Sequence, residues 1–393
     1  MAQLTQIKDL QRRHKFRQRR KNFLAVLIAI AIVGIFLYMN TSEEFQEFLQ
    51  STVLGNSDYQ QGEGFPIEFV GKDVISLQSL NDGRLGILNS SKLTVVNLGG
   101  GTDLEIPHQM PTPRAIFSGD RILLYDFGGK TWKLYSGNKE LSGQTLESPI
   151  YGADMVENGV YAIASGSTQY LSMVTVYTRE HEKEFEWMSS DKIITNIELE
   201  DTGREVAFTA VSAQDGQLHT HLFIHRFDRK DPVASFDFPG EITISLQYRY
   251  NGSLTLLTDR SLYIINGAGK LTDMVAFNGE TVSAYADQMD RYTVVVLGDY
   301  SNTKVCRVVF YNMRGEESVS FTMNYPVKQI KCNGSYLYIY NERGLHQFGD
   351  DGLVRMSLPV LNMIDFVPGD NSIVYYMTFD GLERGIMERS STY

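Results

Sequence analysis

Eight short hairpin signals recur along most of this chain, and their spacing limits the folds open to it. Asp82-Gly83, Gly119-Asp120, Asn158-Gly159, Thr202-Gly203, Asn251-Gly252 and Asn333-Gly334 each sit between short apolar runs, with further turns near Asp290 and at Asp370-Asn371. Dipeptides such as Asn-Gly supply the positive φ angles that tight hairpins need. Counted from positions 83, 119, 159, 203, 252, 291, 334 and 371, the intervals are 36, 40, 44, 49, 39, 43 and 37 residues. That is the length of one four-stranded propeller blade, about 40–45 residues. Each turn is followed by an apolar strand, a polar loop and another strand, as in RILLYD–FGGK–TWKLYSG and SLTLLTD–SLYIINGAGK. A β-sandwich has no need of eight similar units, and a β-helix repeats at a shorter period. Aromatic residues at 11% suit β-structure, and 42% hydrophobic content excludes a disordered chain.

The last unit leaves room for only three strands before residue 393, while an unmatched strand, PIEFV at 66–70, precedes the first unit. A first strand that completes the last blade as its outer strand would close the ring and remove two open edges. The predicted fold is therefore an all-β propeller over residues 65–393, with eight blades expected and seven as the alternative. One N-terminal transmembrane α-helix is expected to precede it.

That helix is read from charge and hydropathy. Residues 1–22 carry eight bases and one acid, a net +7, whereas the rest of the chain carries −18. Residues 23–39, FLAVLIAIAIVGIFLYM, contain no charge. A 17-residue helix lies at the short end of the range that spans a bilayer core. The run is longer than a signal-peptide core and ends in YMNTSEEF, without an A-x-A cleavage pattern. An uncleaved signal anchor is expected. The basic tail would stay cytoplasmic against membrane lipids, and the propeller would lie outside the cell membrane. Residues 40–64 read as a stalk and linker, with Phe45, Phe48, Leu49 and Thr52 on one helical face.

The RRHKFRQRRKNFLAVLIAIAIVGIFLY anchor and the repeats ending LYIINGAGK and VVFYNMRGEE resemble uncharacterised single-pass, extracytoplasmic β-propeller proteins of Gram-positive, clostridia-like bacteria. The blades are distantly similar to quinoprotein-type and WD-type repeats. They lack regular Trp-Asp signatures, and Trp132 and Trp187 are the only tryptophans. The resemblance implies architecture and location, not an activity.

The chain has no G-x-S-x-G elbow, Walker loop, Rossmann fingerprint or H-E-x-x-H. His219, His221 and His225 would project from one face of a continuous strand, because their spacings are even. They are weak metal candidates, since no adjacent Cys or carboxylate completes a ligand set, and neither a metal nor a cofactor is expected. Asp350-Asp351-Gly352 lacks the full calcium-loop pattern and reads as a solvated turn. Cys306 and Cys332 fall in adjacent units at different strand positions and read as unpaired small hydrophobes.

The expected function is non-enzymatic: a binding or scaffold module for a protein or envelope component. The alternatives are a quinoprotein-like or glycan-hydrolysing enzyme, or a sensor acting through a separate cytoplasmic partner. Nucleic acid is not an expected partner, because −18 repels phosphate. Strand alternation brings the linker onto the face of the first-to-second-strand turns. The opposite face carries the second-to-third-strand loops and the blade connections, where binding residues concentrate. Arg114, Asp126, Tyr170, Arg260, Tyr300 and Arg343 are the expected ligand-facing residues on it, and no catalytic residue is expected.

Overall fold

A computed structural model describes residues 64–68, 74–289, 291–299, 302–370 and 372–389. The expected basic tail, transmembrane segment and most of the stalk lie outside these residues. Among the described residues no helix is long and apolar enough to cross a membrane.

Eight sheets follow one another along the chain, so the propeller has eight blades. Blades 1 to 7 begin with the innermost strands Val74–Ser79, Pro113–Ser118, Ile150–Met155, Ile193–Leu199, Thr243–Tyr248, Thr281–Met289 and Gln329–Asn333. Blade 8 begins with Asp365–Pro368. Within each blade successive strands pair antiparallel through hairpins. At Asn251-Gly252 the glycine holds a φ of +73°, as the turn chemistry predicts. Second strands such as Tyr161–Ser165 and Leu254–Thr258 are buried along their whole length, because both faces of the blade are covered by neighbours. Outer strands such as Ala234–Pro239 reach solvent and alternate. The long hairpin Glu205–Gln214 with Gln217–Arg226 accounts for the 49-residue interval.

The core is layered rather than central. Among the described residues it divides into eight apolar clusters, one at each interface between adjacent blades, including blade 8 with blade 1. The two tryptophans serve two of these layers. Trp132 of blade 2 packs on Tyr161 and Tyr177 of blade 3, at 5.5 and 5.8 Å between ring centres. Trp187 of blade 3 packs on Phe208 of blade 4 at 4.7 Å. No disulfide joins Cys306 and Cys332, which lie in the layer between blades 6 and 7.

The ring closes as the strand count requires. Ile67–Glu68 is the outer strand of blade 8, pairing Ile67 with Leu382 and Glu68 with Gly381. Gly381 is needed there: with a φ of +154°, a Cβ on it would lie 2.2 Å from the Ile67 carbonyl oxygen. A second tie was not foreseen. Glu388–Arg389 leaves blade 8 and adds a fifth strand to blade 7, pairing with Ser357 and Met356.

Candidate functional site

The innermost strands wall an axial channel, and polar side chains bridge them from blade to blade. Lys331 Nζ of blade 7 lies 2.6 Å from Asp365 Oδ1 of blade 8, while Asp365 Oδ2 accepts the Leu77 N–H of blade 1 at 2.9 Å. Across the ring, Asp154 accepts the Leu199 N–H at 2.7 Å, and Gln247 donates to Glu198 at 3.0 Å. Burial pushes the Asp154 carboxyl up to about 6, although its backbone hydrogen bonds favour the charged form. Two cavities of about 580 and 510 Å³ occupy the channel and share Tyr285, Ile330 and Lys331. These bridging groups are turned on neighbouring strands.

Strand alternation gives the ring two unlike faces. The first-to-second and third-to-fourth turns lie on one, here called the entry face. Gly64 arrives there, against Gly100 in a third-to-fourth turn of blade 1. The second-to-third loops and blade connections form the distal face. The described members of the expected site all lie on the distal face, in blades 2, 3, 5 and 7, and no described contact joins residues of different blades within the set.

Arg114 is exposed, its guanidinium 5.5 Å from the centre of the Phe127 ring. Asp126, expected to face a ligand, is instead buried, and its carboxylate accepts the Thr112 N–H at 2.8 Å. Tyr170 stands half-exposed in a turn where Ser167 Oγ accepts its N–H at 2.8 Å. Arg260 is exposed beside Asp259, at 3.9 Å. Arg343 is exposed, with its guanidinium carbon 4.7 Å from the centre of the Tyr325 ring. Tyr300 lies outside the described residues.

The distal face also carries what a search for polar groups passes over. Exposed apolar side chains come to it from every blade: Ile75, Phe127, Tyr170 and Leu171, Ile193 and Leu218, Ile242, Val305, Leu361 and Phe379. Phe379 and Leu361 keep 63% and 62% of their surface. For Phe127, Tyr170, Leu171, Ile242, Leu361 and Phe379 the signal was available as large apolar residues inside connections that otherwise read as polar.

His219, His221 and His225 do share one face of a blade 4 strand, interleaved with Phe223. A carboxylate completes the picture from the next strand. Asp237 lies 3.0 Å from His219 Nδ1 and 3.5 Å from His221 Nδ1, and His221 Nε2 is 2.9 Å from Ser212 Oγ. Ser212, His221 and Asp237 thus stand in the order of an acyl-transfer relay. The carboxylate is nearer His219, however, and Ser212 is buried. Among the described residues no group of three or more His, Cys, Asp or Glu has metal-holding geometry. At residues 350–352, Asp351 Oδ1 accepts the Leu353 N–H at 3.0 Å, which is turn chemistry.

The model of a family of unknown function, DUF5711, matches residues 68–381. The chain belongs to this family. The family match begins at Glu68 and ends at Gly381, and these two residues are register partners across the ring closure. The match thus runs from the closing strand to the start of the third strand of blade 8.

No curated protein matches the sequence at a significant level. Solved propellers do match its fold. Sqt1 of Chaetomium thermophilum, bound to the N-terminus of ribosomal protein L10, aligns with a TM-score of 0.56 at 11% identity, over 82% of this chain and 98% of that one. The C-terminal WD40 domain of Sif2 aligns at 0.55 with 12% identity, over 83% and 100%. BamB of Moraxella catarrhalis aligns at 0.51 with 11% identity, over 83% and 97%. At such identities the likeness is one of fold.

Proposed function

We propose that this DUF5711 propeller is a non-enzymatic binding module that presents its distal face to a protein or cell-envelope partner. The observation that carries this reading is the apolar side chain, or pair of them, that each of the eight blades exposes on that face. Exposed apolar groups spread across one surface and mixed with arginines such as Arg114, Arg260 and Arg343 suit a macromolecular partner. Sqt1 lends support as a propeller bound to a segment of another protein.

We further propose that residues 23–39 anchor the chain in a membrane, with residues 1–22 against anionic headgroups. The support is the charge-free run and the +7 block before it.

The test places a photo-crosslinking amino acid at Phe127, Phe379, Tyr250 or Leu98 of the full chain in cells. Crosslinked partners should come from positions 127 and 379 on the distal face. Crosslinks confined to positions 250 and 98 on the entry face, or none at all, would sink the proposal.

A further inference from the structure

A groove between blades 6 and 7 runs from Arg343, at the rim of the distal face, to Leu353 at the entry face. It encloses about 620 Å³. One wall is the outer strand of blade 6, Glu317–Met323, and the other comes from the third and fourth strands of blade 7. Its floor is apolar: Phe321 and Phe348 stack at 4.8 Å, nearly parallel at 16°. Leu353, exposed at 60%, stands at its entry-face end. The walls meet closely because Gly352 has no side chain; a Cβ there would lie 2.7 Å from Val319.

The polar groups of the groove have one sign. In a chain of net charge −11 its lining holds Arg343 and Arg355 and no carboxylate. Arg355 is paired with Asp351 at 2.6 Å from outside the lining. Arg343 has no carboxylate partner among the described residues, and its position is fixed. Asn341 Oδ1 accepts its N–H at 2.7 Å, the guanidinium lies over Tyr325, and one of its nitrogens donates to the Tyr325 hydroxyl. A guanidinium held against a ring, with one nitrogen on the ring's hydroxyl, keeps its other N–H groups for a carboxylate and loses little side-chain entropy on binding. Among the described residues the outer edge of Glu317–Met323 has no strand partner, so its backbone can pair with an extended chain.

We propose that this groove binds an extended acidic peptide of a partner protein. A large apolar side chain of the peptide packs on the Phe321–Phe348 floor, and an Asp or Glu two or three residues away pairs with Arg343.

The full-length chain in detergent is screened against a displayed library of random nonapeptides. Enriched peptides should combine a large apolar residue with a carboxylate at that spacing. Their affinity should fall at least about tenfold in Arg343→Ala and in Leu353→Asp, and remain unchanged in Tyr250→Asp on the entry face. Arg343→Lys keeps the charge and removes the planar fork, so it should recover only part of the loss. This variant also serves if Arg343→Ala fails to fold. Failure to enrich any peptide, enrichment of peptides without carboxylates, or equal binding by the wild-type, Arg343 and Leu353 variants would each overturn the proposal. Because the probe is a free peptide, the outcome is independent of the distal-face crosslinking.

Discussion

His225 is buried from water, yet a change of pH acts on it. Its ring stacks on Phe208 at 5.8 Å and 3°, and neither ring nitrogen has a partner. Burial lowers its pKa below the ordinary 6.5, so the folded protein holds it neutral. An unfolded chain takes up that proton near pH 6.5, and stability is therefore lost as pH falls below 6.5 toward the folded pKa. The loss is bounded by about 1.4 kcal/mol per pH unit. Urea unfolding at pH 7.5 and 5.0 should show a smaller acid loss in His225→Phe than in the wild type; an equal loss refutes the assignment. In the channel, Asp365→Ala strands both Lys331 and the Leu77 N–H. It should lower stability by about 2 kcal/mol, read as a shift of the urea midpoint with an unchanged slope. Ser212 should not react with a fluorophosphonate probe, because its hydroxyl is buried; labelling that disappears in Ser212→Ala would reopen the enzyme reading. The histidine ladder was legible because strand periodicity is local. Its Asp237 was not, because cross-strand register joins residues a hairpin apart.

Among the elements, the ring closure is the most vulnerable. Gly381→Ala forces a Cβ against Ile67 at a φ that disfavours any side chain, so it should cost more than about 1 kcal/mol. Hydrogen exchange should then show lost protection in Ile67–Glu68 and Gly381–Ile386, with Tyr161–Ser165 of blade 3 unchanged. Equal loss in both places would mean that the blades unfold as one unit. The blades themselves were legible because each is announced by its own turn. The closing strand was legible by counting. The fifth strand of blade 7 was not, because Glu388 and Arg389 carry no alternation to mark them.

At the scale of the whole molecule, the proposed anchor makes a topological prediction. Protease added to intact protoplasts should digest the chain beyond about residue 41. Protection until the membrane is lysed would reverse the orientation. The grouping of these loops on the distal face follows from strand direction, whereas the burial of Asp126 there does not. The residues chosen on it were mainly charged, and Asp126 turned out to hold a loop together. Burial depends on neighbouring blades, which no local pattern reports.

Ring closure also sets an order of events in time. Ile67 is among the first propeller residues to leave the ribosome, and its partner Leu382 emerges 315 residues later. Until then the outer strand of blade 8 has no partner and blade 1 lacks a neighbour on one side. Joining ends so far apart costs about 5 kcal/mol of chain entropy at the length-dependent level alone. Blades in the middle can stack as they appear, but the circle is completed only by the final strands. A product stopped short of blade 8 would expose the apolar flank of blade 1, including Leu77 and Leu85, for as long as it persisted. Such an open ring offers quality-control machinery a direct mark of incomplete synthesis.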